Sequence, residues 1–298
     1  MTIGVLIMAH GTPASPDEIA AFYTRIRRGR PPDAAQLAEL EGRYRAIGGV
    51  SPLAARTRSQ VAAVRAELAR RDPGRYVVAF GAKHTEPLIE KAAAELAAAG
   101  HTQVVGLVLT PHASSMGSQE YLDRAAKELG ATPFKPIGAW YAHPGLVELL
   151  ASRVRAALST VGGRSRVIFT AHSLPERIRE VGDTYPEQLA ESAELVAQGA
   201  GLDEWEVAWQ SAGRTPEPWL GPDVRDVIRR LGTGDAIDAV VLCPIGFVAD
   251  HLEVLYDLDV EVAGVAAEAG LEYARTASLN DDPAFIDVLA DLITAATS

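Results

Sequence analysis

The sequence is poor in features that several classes of protein require. It contains one cysteine, Cys243, so an intramolecular disulfide and an iron–sulfur cluster held by thiolates alone are excluded. It has no run of about 18 uncharged apolar residues, which a membrane-spanning helix needs. Its net charge is −11, and this acidic excess argues against binding to nucleic acid. We therefore expect a cytoplasmic protein without a transmembrane segment or a nucleic-acid partner.

The sequence also lacks the phosphate-binding motifs of nucleotide-binding proteins. Neither G-x-G-x-x-G after a strand nor G-x-x-x-x-G-K-[ST] occurs, so no backbone cradle for a phosphate is predicted. The chain has 298 residues, of which 48% are hydrophobic and 22% are charged, as in a compact globular protein. This length suffices for one large domain or for two ordinary ones.

Short apolar runs alternate with longer stretches rich in Ala, Glu and Arg. Such alternation is typical of β-α-β units and predicts parallel sheets. Strands are predicted over residues 4–9, 76–81, 104–110, 166–170, 206–209 and 239–243, and the first of them does not resemble a signal peptide. Helices are predicted over residues 60–71, 86–99, 119–129, 146–158, 187–199, 222–231, 250–269 and 283–296.

The two halves of the chain repeat the same motifs in the same order. Residues 5–13 (VLIMAHGTP) resemble residues 167–175 (VIFTAHSLP), and residues 107–111 (LVLTP) resemble residues 240–244 (VVLCP). A third pair, residues 78–87 and 207–218, lies between them. The three pairs predict two similar doubly wound, Rossmann-like α/β domains over residues 1–145 and 146–298, with the last helix packing back across the cleft between them.

Histidines follow several of the predicted strands. Ligands of doubly wound sheets bind beyond the carboxyl ends of the strands, and His10, Lys83, His84, His112 and His172 all lie at such ends. Imidazole transfers protons near neutral pH and binds borderline metals. A single histidine at a strand end more often only hydrogen-bonds a loop. The group of histidines, however, predicts a functional cleft.

A column of carboxylates follows the last predicted strand. Residues 246–261 have the pattern of an amphipathic helix with a core stripe of Leu255, Leu258, Val262 and Val265. Glu253, Asp257 and Glu261 are spaced by four residues and share another face, where like charges repel. Most such columns are solvated. The place of this one at the cleft favours a path for a hydrated divalent cation, which prefers oxygen ligands.

Arginines cluster in the N-terminal half. Residues 25–30 (RIRRGR) contain four, and Arg43 and Arg45 flank Tyr44. Guanidinium groups bind carboxylates in a bidentate way, while a solvated surface run and a nucleic-acid site are the alternatives. In the C-terminal half, Trp219 lies in a loop rich in proline and glycine, where its ring would form a wall for a flat ligand.

Together these motifs resemble the ferrochelatase family over nearly the whole chain. The matching segments are residues 8–13 (MAHGTP), 26–30 (IRRGR), 43–44 (RY), 47–53 (IGGVSPL), 83–84 (KH), 171–175 (AHSLP), 209–211 (WQS), 219–222 (WLGP) and 246–253 (GFVADHLE). The resemblance is strongest to the soluble members of Gram-positive type. It implies a two-domain chelatase fold and the insertion of Fe²⁺ into coproporphyrin III, which yields Fe-coproporphyrin III (coprohaem) in haem synthesis.

The resemblance also implies roles for individual residues. His172 and Glu253 match the catalytic pair of the family. The resemblance leaves open which of them takes the pyrrole protons. Propionate contacts are expected at Arg27, Arg43, Tyr44, Ser51 and Tyr121, with Trp219 as a further porphyrin contact. Metal contacts are expected at His172 and Glu253 and, for a hydrated cation such as Mg²⁺, at Asp257 and Glu261. No cofactor is required, and we expect a monomer that passes its product to the next haem-pathway enzyme.

His10 departs from the Gram-positive pattern, which has a tyrosine on the porphyrin face opposite the catalytic histidine. The internal repeat places His10 and His172 at equivalent strand ends, so a planar ligand between them would present one face to each. We therefore predict that His10 contacts the porphyrin and is an axial ligand of the product iron. The alternative is that His10 only hydrogen-bonds the turn at residues 11–13.

Three other functions fit the same motifs. The first is a ferrochelatase that acts on protoporphyrin IX. The second is a chelatase that inserts cobalt or nickel into a sirohydrochlorin. The third is a non-catalytic haem carrier, which needs axial ligands but no column of carboxylates. The spacing of Glu253, Asp257 and Glu261 therefore favours an enzyme over a carrier.

Overall fold

Two four-stranded parallel sheets form the framework of the protein. In the computed structural model, which describes residues 2–234 and 236–297, the first sheet has the order β2-β1-β3-β4 and the second β6-β5-β7-β8. The strands are β1 (Ile3–Ala9), β2 (Tyr76–Ala82), β3 (Val104–Val108), β4 (Phe134–Pro136), β5 (Ser165–His172), β6 (Trp205–Gln210), β7 (Ala239–Cys243) and β8 (Glu272–Arg275). The identical order confirms two similar doubly wound α/β units. The predicted terminal positions 1 and 298 lie outside the described residues.

Helices connect the strands of each sheet. Within the described ranges they are α1 (Ile19–Ile26), α2 (Ala34–Ala46), α3 (Leu53–Arg71), α4 (Ile89–Ala98), α5 (Ser118–Leu129), α6 (Pro144–Leu158), α7 (Tyr185–Ala200), α8 (Val224–Gly234), α9 (Ala263–Glu268) and α10 (Pro283–Ala295). The helix predicted over residues 60–71 begins seven residues earlier, at Leu53. The short edge strands β4 and β8 were not predicted.

β1 and β5 are the strands that end in the two repeated histidine motifs. Each has a parallel neighbour on both sides, β2 and β3 for β1, and β6 and β7 for β5. All seven residues of β1 are buried, as expected for a strand covered by helices on both faces. The register aligns the carboxyl ends of neighbouring strands, so the residues that follow them meet at one edge.

The two halves share one continuous hydrophobic core, which includes Val5 and Ile7 of β1 and Val167 and Phe169 of β5. Polar contacts cross between the halves as well. Gln60 of α3 donates from Nε2 to the backbone oxygens of Val248 and Asn280. The last helix, α10, packs against α3, where Arg71 forms ion pairs with Asp287 and Asp291.

The helix predicted over residues 250–269 is wrong in its start and its pitch. It begins as a π-helix, Glu253–Val262, which continues as α9. Asp250 lies before the π-helix. Its carboxylate accepts hydrogen bonds from Ser278 and Asn280. A π-helix bonds residue i to i+5 and has a wider turn. Leu258 and Val262 of the predicted core stripe are buried, whereas Val254 and Ala266 are buried in place of Leu255 and Val265.

Gly246 lies where the chain leaves β7 and passes close to β5. A Cβ at this position would lie 2.6 Å from the Cβ of Ala171 and 3.0 Å from its Cα. Ala171 is fully buried and directly precedes His172. The end of β5 therefore has little room to give way to a larger side chain at residue 246.

We predict that Gly246→Ala destabilises the fold by about 1–3 kcal/mol, because the added methyl group overlaps Ala171. Gly264→Ala in α9 is the matched control, since a Cβ there would meet no described heavy atom within 4 Å. The control should be neutral or stabilising by up to about 1 kcal/mol. Denaturant unfolding measures both variants. Unchanged stability of Gly246→Ala would contradict this account of the strand end.

Candidate active site

The carboxyl ends of the central strands open into one cavity of about 280 Å³. Four imidazoles and one carboxylate line it, together with mostly apolar side chains: His10, His112, His172, His251 and Glu253. The structure thus brings His10, His112 and His172 together as predicted. Lys83 and His84 are not among the described lining residues. The ring of His84 instead packs against that of His10, with 4.6 Å between the ring centroids.

His172 and Glu253 form a hydrogen-bonded pair in this cavity. The Nδ1 atom of His172 is 2.9 Å from Oε2 of Glu253, and each side chain is 34% exposed. His172 ends β5, and Glu253 begins the π-helix. Gln210, at the end of β6, connects the two elements. Its Nε2 donates to the backbone oxygen of Glu253 at 3.0 Å, and its Oε1 accepts from Thr170 at 2.8 Å.

The two groups stabilise each other's charged forms. Burial alone would lower the pKa of His172, but the charge and the hydrogen bond of Glu253 outweigh it, and the pKa is raised. Burial alone would raise the pKa of Glu253, but His172, His251 and His10 hold it well below its usual range. Glu253 is therefore the weaker base of the two, and deprotonated His172 is the stronger proton acceptor.

The imidazoles of His10 and His172 are held with Nε2 free. Nδ1 of His10 lies 3.0 Å from the backbone oxygen of Gly11, and Nδ1 of His172 faces Glu253. Because a carbonyl or carboxylate oxygen only accepts, we assign the proton to Nδ1 in both rings. In the neutral form of each ring, Nε2 then keeps its lone pair, which is the usual second-sphere arrangement of a metal-binding histidine.

His251 is a site residue to which the sequence analysis gave no role. Its Nδ1 lies 2.9 Å from the backbone oxygen of Ala249, and its Nε2 lies 4.0 Å from Oε2 of Glu253. Burial is the main cause of its lowered pKa, so its imidazole is neutral near pH 7. The available signal was its position two residues before Glu253 in the segment at residues 246–253.

His10 is open to the cavity, yet the protein around its ring lowers its pKa. The hydrogen bond to Gly11 and the charge of Glu253 oppose this effect without cancelling it. The pKa of the neighbouring His84 is lowered to about 3, by burial and by His10. Both rings are therefore neutral near pH 7. Neutral imidazole is the form that binds metal.

Tyr185 and Asp183 support the wall behind His172, and neither was singled out from the sequence. The hydroxyl of Tyr185 donates to the backbone oxygen of His172 at 3.1 Å. The carboxylate of Asp183 accepts from the backbone nitrogen of Tyr185 at 2.9 Å and from Ser115 at 2.6 Å. It also accepts from Ser114, a residue of the cavity wall. These contacts tie the loop before α5 to the strand end that carries His172.

A second cavity of about 390 Å³ lies between α2 and residues 211–215. Arg27 and Arg43, two of the predicted propionate contacts, line it together with Arg214. Arg43 forms an ion pair with Asp257 of the π-helix, and Asp257 also accepts a hydrogen bond from Ser211. Arg43, which was predicted to bind a propionate, and Asp257, which was predicted to bind a cation, therefore contact each other.

Asp257 and Glu261, which the spacing places on one face with Glu253, differ in their surroundings. Asp257 is buried and both of its oxygens are engaged, while Glu261 is exposed. Burial and the charge of Glu253 raise the pKa of Asp257 to about 6. In the described part of the chain, no three His, Cys, Asp or Glu side chains are grouped to hold a metal ion. With Arg43 in contact, this donor set does not fit a resident Mg²⁺.

The remaining predicted porphyrin contacts occupy different places. Tyr121 of α5 lines the first cavity, and the ammonium of Lys83 lies 5.0 Å from its ring centroid. Tyr44 is buried with its hydroxyl 3.4 Å from that of Thr12, and Ser51 accepts from the start of α3. Trp219 is not among the described lining residues of either cavity. Its indole donates to Thr215 at 3.1 Å, which gives it a place in the packing of its own loop.

Solved structures of chelatases have this fold. Two solved structures share it over nearly the whole chain. CbiX, described as the terminal enzyme of siroheme biosynthesis in denitrifying bacteria, has a TM-score of 0.60 at 18% identity and covers 99% of this chain and 100% of its own. SirB from Bacillus subtilis with Fe³⁺ has a TM-score of 0.62 at 14% identity and covers 100% and 96%. At such low identity the likeness concerns the fold alone.

The chain belongs to the ferrochelatase family, whose model matches residues 2–297. Coproporphyrin III ferrochelatase from Bacillus subtilis (strain 168) is 44% identical over 299 residues, which cover 98% of this chain and 96% of that protein. The protein of the same name from Geobacillus kaustophilus is 44% identical over 300 residues, with 98% and 95% covered. In the described residues, no helix is both long and apolar enough to cross a membrane.

We predict that His172→Ala lowers the rate of iron insertion at least about 10²-fold, because it removes the stronger base of the pair. Glu253→Gln should act differently. It removes the charge that raises the pKa of His172, so that pKa falls. Since only neutral His172 accepts a proton, the acidic limb of the rate–pH profile should move to lower pH. Anaerobic stopped-flow absorption measures both effects.

The titration of metal-free porphyrin fluorescence controls for binding, and both variants should still bind porphyrin. Near-parental turnover by His172→Ala would contradict the assignment of the base. An acidic limb that stays in place in Glu253→Gln would show that the carboxylate does not control the protonation of His172.

Proposed function

We propose that this chain inserts ferrous iron into coproporphyrin III and releases Fe-coproporphyrin III. The observation that carries the proposal is the His172–Glu253 pair, which lines the same mostly apolar cavity as His10. The names of the relatives, at 41–44% identity over nearly the whole chain, support the choice of coproporphyrin III.

The chemistry that the site must perform is a double deprotonation. Two pyrrole N–H groups lose their protons, and the lone pairs left on nitrogen bind the Fe²⁺ that enters the ring. We assign the acceptance of both protons, one after the other, to Nε2 of His172, since Nδ1 already donates to Glu253. The imidazolium releases each proton to solvent, to which its side chain is 34% exposed. The carboxylate stabilises the imidazolium that forms, as a buried acid does for a catalytic histidine in other enzymes.

His10 serves the opposite face of the macrocycle in this proposal. Its free Nε2 and its neutral state are the properties of an axial ligand for iron. Its hydrogen bond to Gly11, which the alternative reading required, is present in the structure and is compatible with this role. That bond keeps Nε2 unprotonated, so loop binding and iron binding use different atoms of the same ring.

Arginines and hydroxyls around the cavities supply the contacts for the propionates. We assign Arg27, Arg43, Tyr44, Ser51 and Tyr121 to this role, and Trp219 to the packing of its own loop. The binding energy of the carboxylates is then available to hold the ring against the catalytic pair. A monomeric state, a cytoplasmic location, the lack of a cofactor and product transfer to the next haem-pathway enzyme stay predictions.

The direct test is anaerobic mixing of the protein with Fe²⁺ and either coproporphyrin III or protoporphyrin IX. We expect the free-base absorption bands of coproporphyrin III to disappear with turnover, and those of protoporphyrin IX to disappear more slowly. Parallel reactions with Co²⁺ and Ni²⁺ and a sirohydrochlorin test the rival chelatases. Stoichiometric binding of preformed coprohaem without turnover of the free base would instead identify a carrier.

The role of His10 has its own spectroscopic test. The coprohaem complex of the parent protein should show the absorption and resonance Raman bands of an imidazole ligand. We expect these bands to disappear in His10→Ala and to be replaced by those of a phenolate ligand in His10→Tyr. Identical spectra of His10→Ala and the parent would exclude His10 as the ligand.

A further inference from the structure

The second cavity contains a guanidinium group that the proposed function does not use. Arg214 lines it together with Arg27 and Arg43, and Glu39 is the one acidic side chain among its described lining residues. The lining thus has three cations and one anion. Such an excess, in a protein with a net charge of −11, indicates a local site for an anion.

Arg214 is engaged by Glu39 through an ion pair that is easily exchanged. Both oxygens of the Glu39 carboxylate contact the guanidinium, one of them at 2.6 Å. The side chains are 76% and 44% exposed, and exposed pairs contribute little to stability because water competes for them. A second carboxylate, presented by a ligand, can therefore replace Glu39.

The other two arginines have donors to spare. The Nε atom of Arg43 is buried and has no hydrogen-bond partner among the described residues, although its Nη2 contacts Asp257. Arg27 forms no ion pair with any described carboxylate, and its Nε donates only to the backbone oxygen of Arg30. A buried donor without an acceptor is costly, so a carboxylate in this cavity would satisfy groups that the protein leaves open.

Arg214 and its acidic partner come from different halves of the chain. Arg43 and Glu39 lie four residues apart on α2 and therefore on one face of the helix. Arg214 comes from the loop after β6, in the other half of the chain. The Arg214–Glu39 pair thus connects the two walls of the cavity, and its exchange would leave Arg214 free to bind a carboxylate beside Arg43.

We propose that Arg214 is a further substrate-binding residue, which takes a propionate of the porphyrin, and that Glu39 occupies it until that propionate arrives. The proposal rests on the proposed function, since the ligand is the porphyrin of the iron-insertion reaction. Arg27 and Arg43 provide the neighbouring donors. Glu39 is then an internal competitor of the substrate and not a support for its binding.

Opposite changes in affinity distinguish this competition from a structural ion pair. Arg214→Gln should weaken the binding of metal-free coproporphyrin III about three- to tenfold, because one charged donor is lost. Glu39→Gln should strengthen it about two- to fivefold, because the competitor is lost. The double variant should bind as weakly as Arg214→Gln alone. Fluorescence titration at about 0.15 M salt, where long-range charge effects are screened, measures all four proteins.

Two controls separate a local contact from the general effect of charge. Arg229→Gln and Asp226→Asn alter the same charges in an exposed pair on α8 and should leave the affinity unchanged. On the ligand side, the tetramethyl ester of coproporphyrin III in dilute detergent keeps the macrocycle and removes the carboxylates. The ester should bind the parent and the Arg214 and Glu39 variants equally.

Shifts in the same direction for Arg214→Gln and Glu39→Gln would overturn the proposal, as would shifts no larger than those of the α8 controls. Equal weakening of the ester and the free acid would also overturn it. Iron insertion by the parent protein is measured separately. Failure of that reaction would refute the proposed function, whereas the affinities test Arg214 whether or not turnover occurs.

Discussion

The hydrogen bond between His172 and Glu253 is the interaction on which the rest of the site depends. It joins the end of a central strand to the first turn of a π-helix, and Gln210 fixes both elements from the neighbouring strand. Tyr185 holds the backbone of His172 from the other side. An ionised carboxylate that is only one-third exposed is costly unless a well-placed partner compensates it. The surrounding contacts provide that geometry.

The pair also explains how one cavity can serve a base and a metal at once. Glu253 raises the proton affinity of His172 and stays ionised itself. His10 and His251 remain neutral because the protein around their rings displaces water and disfavours the charged forms. The cavity therefore combines the His172–Glu253 pair with neutral imidazoles, and His172 acts as the base in its deprotonated form.

Most of the fold could be predicted from the sequence, since buried parallel strands are continuous apolar runs and the histidine motif occurs twice. β4 and β8 are short edge strands with mixed burial, and such segments carry little periodic signal. The π-helix could not be predicted, because its residues follow the pattern of an ordinary amphipathic helix. The spacing of the carboxylates likewise gave no sign that Asp257 is buried against Arg43 and Ser211 while Glu261 is exposed.

Contacts between distant segments account for what the sequence could not reveal at the site. Arg43 and Asp257 are 214 positions apart, and no local pattern indicates that they pair. His251 and Tyr185 gain their roles only from the backbone atoms and rings around them. His172 and Glu253 could be predicted from the sequence, because His172 ends a strand of the repeat and Glu253 follows one. The sequence thus indicates which residues reach the cleft better than it indicates their partners there.

The most direct measurement is a crystal structure of the protein with metal-free coproporphyrin III bound. The account predicts that the macrocycle lies between the two sheets, with Nε2 of His172 directed at one face and Nε2 of His10 at the other. A macrocycle bound outside the cleft, or one with both imidazoles on the same face, would contradict it.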